Sequence, residues 1–417
     1  MDAATPLTPL RRNVRFQLLW AGAACSTLGT EITRLALPLA LLALTGSAAQ
    51  AGLVGATLTA ALLLAQIPAG IWVDRHDRRR ILLAAQAVQV LNAVVLVGSL
   101  AAGGAGLLSF VLFAAMDGVC AAFVGNARQV SIRAVVPIAQ LRSAFVQEES
   151  RSHAGRVLGP AIGGLLYGMS LLAPYLATLV AIAAAWVLAL LARVPRRPAP
   201  RAGDAGDGAA PATARRGMLA ETWTALRWLL AQRGLRELCL VLMAMNFFGG
   251  GVTLALIVHI ESLGGGSALT GFVLTGIGIG GLLGALASGR LTARVSTGYL
   301  ALGVPAVLGV CLMLAALPLA PWWPFFPILT FSLVTPALNV AAGAVTAELV
   351  PEDMLGRVGS LLAVASMGLT PLGPLLGGVL AGSLGGGWAL CIAGAGFLLT
   401  AGVGAASPTL RRFDAQG

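Results

Sequence analysis

Few residues in this 417-residue chain can hold or pass a proton, and they recur at helical spacings inside long apolar runs. Glu31 and Arg34 are three residues apart, Glu148 and Arg151 likewise, and Glu149 and His153 four apart. Each pair therefore falls on one face of a helix. Asp117 is different: its own run contains no basic residue. A charge near the centre of a spanning helix costs about 2.5–3.5 kcal/mol on insertion scales unless it is paired or hydrated. Glu31, Arg34 and Asp117 should thus face a cavity as proton-coupling groups, or form an ion triad that only fixes helix packing. The charged start of the fifth run, from Glu148 to Arg156, has two readings as well. It is either an ion-pair cluster at the cytoplasmic end of its helix or a proton relay, since carboxylate and imidazole chains in membranes serve as relays.

Bond-making chemistry finds no support. There is no GxSxG elbow, no HExxH, no Gly-x-x-x-x-Gly-Lys loop and no lysine of any kind, which argues against an enzyme and against ATP-driven work. Cys25, Cys120, Cys239, Cys311 and Cys391 are isolated, so no CxxC metal or redox site exists. No catalytic residue, metal ligand or cofactor is expected.

The elements that position these side chains follow from composition. The chain is 58% hydrophobic and 10% charged with a mean hydropathy of +0.88, whereas about a quarter of residues are charged in soluble domains. Its solvent is lipid. A spanning helix needs about 20 apolar residues, and twelve runs fit: 16–44, 50–73, 81–102, 105–126, 142–168, 173–193, 236–260, 268–289, 297–317, 323–346, 356–382 and 387–407. The first is too long for a cleavable signal and should remain as a helix. All 27 basic residues are arginine, and none lies in the short connections near 45–49, 103–104, 169–172, 261–267, 318–322 and 383–386. By the positive-inside rule those connections face outward, and both termini and the central loop are cytoplasmic. The net charge of +11 then reports topology and contact with anionic lipid, not nucleic-acid binding. Pro, Gly and Arg dominate 194–216, which reads as a linker, and Leu219, Trp223, Leu226 and Leu230 predict an amphipathic surface helix near 218–232. The organisation expected is an N-terminal six-helix bundle over 1–193, a cytoplasmic linker over 194–235, and a C-terminal six-helix bundle over 236–417.

The two bundles share a signature. Gly159-Pro160-Ala-Ile-Gly163-Gly164 returns 214 residues later as Gly373-Pro374-Leu-Leu-Gly377-Gly378, and the same offset carries Val136-Pro137 onto Val350-Pro351 and Gly70 onto Gly284. Duplicated apolar halves occur in secondary transporters, whose halves move around a central site. Gly155, Gly159 and Gly163 recur every fourth residue, which lets another backbone approach, and Pro160 bends the helix. The charges are not duplicated: Glu148, Glu149, Arg151, His153 and Arg156 map onto Leu362, Ala363, Ala365, Met367 and Thr370.

The segment Gly70-Ile-Trp-Val-Asp74-Arg75-His-Asp77-Arg78-Arg79-Arg80 resembles the loop motif Gly-x-x-x-Asp-Arg-x-Gly-Arg-Arg of the major facilitator superfamily. The resemblance implies a cytoplasmic gate, with Gly70, Asp74, Arg75, Arg78 and Arg79 latching the two halves in one conformation. Asp77 replaces the motif's glycine, a variant similar to the macrolide-efflux and enterobactin-exporter branch. The block from Gly155 to Gly164 resembles the antiporter motif of that superfamily's drug exporters, although Val146 stands where an upstream glycine is usual. Many proton-driven drug exporters also carry an arginine in helix four, and none occurs between Gly106 and Asn126. The family's cavity is lined by helices one, four, seven and ten, which would gather Glu31, Arg34 and Asp117 and offer Met243, Asn246, Phe247, Thr335 and Asn339 to a ligand. The fold so implied is an all-α membrane protein of the major facilitator type, twelve transmembrane helices in two pseudo-symmetric six-helix bundles. The function so implied is export of a small amphiphilic compound (drug, antibiotic, siderophore or similar metabolite) across a bacterial inner membrane, by alternating access and proton antiport. The alternatives are a nutrient or siderophore importer of the same fold, and a membrane receptor or scaffold that moves nothing.

Overall fold

Inside a bilayer no water is present to satisfy backbone N–H and C=O groups, so apolar segments bond internally as helices. The computed structural model of the chain describes residues 10–193, 223–224, 226–351, 354–411 and 413. Among these residues there is no strand. Contacts divide the chain into two compact units, Met1–Arg197 with Gly266–Gly278, and Pro198–Gly265 with Ile279–Gly417.

The first unit contains α1 (Val14–Thr45), α2 (Ala48–Arg75), α3 (Arg78–Ala101), α4 (Leu107–Val135), α5 (Leu141–Met169) and α6 (Ala173–Ala192). Side-chain caps open three of them. Asn13 accepts from the Phe16 amide and donates Nδ2 to the Val135 carbonyl at 2.7 Å, Ser47 accepts from Gln50, and Asp77 accepts from the amides of Arg79 and Arg80. Within the unit α1 packs on α6 and α5, and α4 on α2 and α3. The α1–α6 seam is close because Gly22 lies against the Ala185 carbonyl and Gly29 against Ala181. Buried polar groups stitch it: Tyr175 Oη donates to Ala36 O at 3.0 Å, and the Thr33 and Thr178 hydroxyls meet at 2.9 Å.

The second unit contains α7 (Arg233–Gly250), α8 (Val252–Ser262), α10 (Thr297–Ala315), α11 (Phe325–Leu349), α12 (Leu355–Met367), α13 (Leu372–Leu384), α14 (Gly386–Ala406) and the short α15 (Pro408–Arg411). Helix α9 (Ser267–Thr292) belongs to the first unit up to Gly278 and to the second from Ile279. Gly309 of α10 and Gly394 of α14 pack on each other's carbonyls, bringing those helices into direct backbone contact.

The expected spans recur as helices, with three local breaks or extensions. Eleven described helical segments are long and apolar enough to cross a membrane, and α5 is not among them because its charged first half lowers its hydropathy. It is nevertheless a 29-residue helix, and it completes the twelve. The seventh span, expected over 236–260, runs over Arg233–Ser262 as one membrane-length segment, with a turn at Gly251 between α7 and α8. The eleventh, expected over 356–382, runs over Leu361–Leu384 as one membrane-length segment, with a break across Gly368–Pro371 between α12 and α13. Pro371 supplies no amide hydrogen to continue α12 and instead precedes α13 as its N-cap. The fourth continues nine residues beyond Asn126 to Val135, because a helix does not stop where the apolar run does. The expected linker over 194–216 lies outside the described residues, as does the start of the expected surface helix. Residues 226–231 are helical, with Leu229 packed on Leu235, Val345 and Val358.

Candidate functional site

The glycine ladder of α5 fixes where the first unit's charges lie. A Cβ on Gly155 would come 2.6 Å from Thr27 Cγ2, one on Gly159 would collide with Glu31 Cβ, and one on Gly163 would lie 3.3 Å from Ile32 Cα. The ladder therefore seats α5 directly on the charged middle of α1. Glu31 is 8% exposed, and both its oxygens accept from Arg34 Nη1, at 3.1 and 3.2 Å. Gly164 continues the contact onto Ser267 and Gly271 of α9.

Asp117 is positioned by a second glycine. A Cβ on the neighbouring Gly118 would sit 2.5 Å from Leu58 O, so α4 rides close on α2 and the carboxylate turns toward α3. There it accepts from Gln89 Nε2 at 3.1 Å. The first unit thus holds two hydrogen-bonded groups, Glu31 with Arg34 and Asp117 with Gln89, the last a residue that the sequence did not indicate.

The charged start of α5 forms a second group. Arg151 is 6% exposed: it donates to Glu148 Oε2 at 2.8 Å, to Ala23 O at 2.8 Å and to the Thr27 hydroxyl, while its Nε is buried without a partner. His153 Nε2 approaches Glu149 Oε1 at 3.3 Å, but the Glu149 side chain is 69% exposed, so this pair reaches solvent or headgroups. Arg128 lies in the part of α4 beyond the apolar run. Helix four therefore does carry an arginine, although none lies between Gly106 and Asn126. Its signal in the sequence was continuation of the helix past the end of the apolar run.

The gate-motif residues occupy the α2–α3 corner. Asp74 and Arg75 are the last two residues of α2 and are exposed, and His76 stacks on Trp72 with ring centroids 4.8 Å apart. Arg79 Nη2 donates to Leu190 O at 3.3 Å, tying the corner to α6. Asp77 caps α3, which is what a carboxylate achieves at the motif's usual glycine position. Gly70 makes no close approach: a Cβ there would meet nothing within 4 Å.

The second unit holds open space of a different character. Two cavities of about 480 and 330 Å³ share Leu242 and Asn339, forming one cleft along α7, α11, α12 and the α12–α13 break, with Leu308 of α10 and Phe397 of α14 closing it. None of the lining residues is charged. Asn246, Thr335 and Asn339 line the cleft, whereas Met243 and Phe247 do not. The reason is helical phase: Leu242, Met245, Asn246 and Gly249 share one face of α7, and positions 243 and 247 turn away from it. Met245 supplies the thioether instead, and Phe331 and Phe397, edge to face at 5.8 Å, supply the aromatic wall. Asn246 Nδ2 is held by the Ser366 carbonyl at 3.1 Å, and the Thr370 hydroxyl at the α12–α13 break is buried with no partner. The second glycine block packs on the same helix pair, Gly373 against Gly250 and Gly377 against Gly251, so each copy lies on the first span of its own unit.

These features define a membrane protein of the twelve-helix transporter class. The chain belongs to the Major Facilitator Superfamily, whose family profile matches residues 19–367. Among curated proteins it is similar to the enterobactin exporter EntS of Escherichia coli O1:K1 / APEC, at 25% identity over 91% of this chain and 87% of that protein. It is similar to the multidrug efflux pump Tap of Mycolicibacterium fortuitum, at 26% identity over 89% of each chain. Among solved structures, a bacterial homologue of the iron transporter ferroportin matches with a TM-score of 0.71 and 15% identity, over 96% of this chain and 99% of that one. The POT family transporter PepTSo also matches at 0.71, with 11% identity over 94% and 97%. These structural likenesses establish the fold.

Proposed function

We propose that this protein is a proton-coupled exporter of a small amphiphilic compound, working by alternating access in a bacterial inner membrane with both termini in the cytoplasm. The observation that carries the reading is a division of labour between the units: ionisable groups cluster in the first, and the cleft of the second is lined by neutral residues. Glu31 and Asp117 are the proton carriers, Arg34 is the counter-charge between them, and Arg151 with Glu148 holds α5 against α1. Glu149 and His153 extend the proton path toward the surface. The cleft takes a ligand through amides, hydroxyls and aromatic or thioether surface, a lining that adapts to bulky apolar bodies with a few polar groups. Gly70, Asp74, Arg75, Arg78 and Arg79 act as the cytoplasmic gate, and the two glycine blocks as the tight, pliable seams on which each unit's first span moves. The resemblance to a siderophore exporter and a multidrug pump supports the outward direction.

Flux in proteoliposomes under an imposed pH gradient tests this. A catecholate siderophore and a lipophilic cationic dye are the first probes. Gradient-driven movement from the cytoplasmic face outward is expected for at least one such amphiphile. Movement toward the cytoplasmic face would make the protein an importer, and binding without flux a receptor.

A further inference from the structure

The second unit has another opening, apart from the cleft. Between α7 and α14, closed at one end by α15, runs a groove of about 370 Å³ walled by Leu240, Val241 and Ala244 on one side and Leu399, Val403 and Leu410 on the other. Leu240, Leu399 and Val403 are at least half exposed, so the groove opens sideways, toward hydrocarbon in a membrane. Thr400 adds no polarity, because its hydroxyl is bonded to Gly396 O. One ionisable group lines the groove: Glu237, at the end near the start of α7. Its Oε2 accepts from the Ser407 hydroxyl at 2.6 Å, and Oε1 has no bonded partner among the described residues.

We infer that this groove is a specific site for an aminophospholipid, phosphatidylethanolamine, with one acyl chain in the groove and the primary ammonium on Glu237. The apolar wall follows α7 from residue 237 to 244, roughly 10 Å at 1.5 Å per residue, a depth that suits an acyl chain and no folded partner. Bulk lipid would need no carboxylate at the groove's mouth, and an anionic headgroup would be repelled by it. A primary ammonium supplies both the charge and the N–H donors that Glu237 Oε1 can accept from. A trimethylated choline headgroup keeps the positive charge but has no N–H to give to Oε1.

The test is native mass spectrometry of the full chain after equilibration with equal amounts of phosphatidylethanolamine, phosphatidylcholine and phosphatidylglycerol. The ethanolamine lipid should be retained in preference to both others, and Glu237→Gln should lower its retention at least about fivefold, the scale of losing one charge-assisted contact. Val403→Trp, which fills the groove and leaves the carboxylate in place, should displace the lipid as well, and it decides the question if Glu237→Gln does not fold. Equal retention of the three lipids by the native chain, or undiminished retention in a folded variant of either kind, would overturn the assignment. The readout needs no transport, so it stands or falls separately from the proposed export.

Discussion

Gly159 of α5 rests on Glu31 of α1 so closely that a methyl group at 159 would occupy the space of the glutamate's own Cβ. A packing residue and an ionisable residue 128 positions apart are thereby one structural unit. Movement of α5 along α1 necessarily moves the surroundings of that carboxylate.

Gly159→Ala should destabilise the protein by about 1–3 kcal/mol, the range for overpacking a close seam, and should abolish transport. Gly125→Ala is the control, because a Cβ there meets nothing within 4 Å. Melting temperature in detergent, measured on both variants, checks the contrast. Equal melting temperatures would mean that α1 and α5 can separate without loss.

Arg151→Ala should cost about 3–5 kcal/mol, since it strands the buried Glu148 carboxylate and removes bonds to Ala23 O and Thr27. Glu149→Gln should cost less than about 1 kcal/mol, because that side chain is mostly exposed and its attraction to His153 is screened. Thermal unfolding of the two variants under one set of conditions ranks the pairs. If Glu149→Gln proved the more damaging, the exposed pair would hold more of the structure than its geometry indicates.

Asp117→Asn keeps an oxygen that can accept from Gln89 but removes the ionisable group. Folding should be preserved and substrate counterflow retained, while efflux driven by a pH gradient falls at least about tenfold. Comparing counterflow with gradient-driven flux in the same vesicles separates coupling from binding. Intact gradient-driven flux in both Asp117→Asn and Glu31→Gln would remove these residues from the coupling role.

In the cleft, Asn339→Leu should weaken binding of a transported amphiphile about tenfold, near 1.4 kcal/mol, by removing an amide at the point where the two cavities meet. Met245→Ala should also weaken it, and Met243→Ala should not, because only the first of these methionines lines the cleft. Titration of each variant with the compound identified in the flux assay distinguishes the two faces of α7.

The sequence by itself determined what depends on composition and short spacing. Lipid as solvent follows from hydropathy, and the duplication follows from a constant offset of 214. The pairings of Glu31 with Arg34 and of Glu148 with Arg151 follow from the rise of a helix, because both partners ride on the same element. The class of protein was legible for the same reason, since its marks are contiguous.

Only the tertiary structure decided which helices meet. Asp117 finds Gln89 across 28 residues, Asn246 finds the Ser366 carbonyl across 120, and Arg151 reaches Ala23 O across 128, none of which a local period encodes. The repeated glycine block shows the boundary most clearly. Both copies pack on the first span of their own unit, but the first meets Thr27, Glu31 and Ile32 and the second meets Gly250 and Gly251. The motif specifies closeness, because a residue without a Cβ admits another backbone. What it is close to, a carboxylate or bare glycine, is set by the register of the opposing helix, and that register exists only in the folded chain.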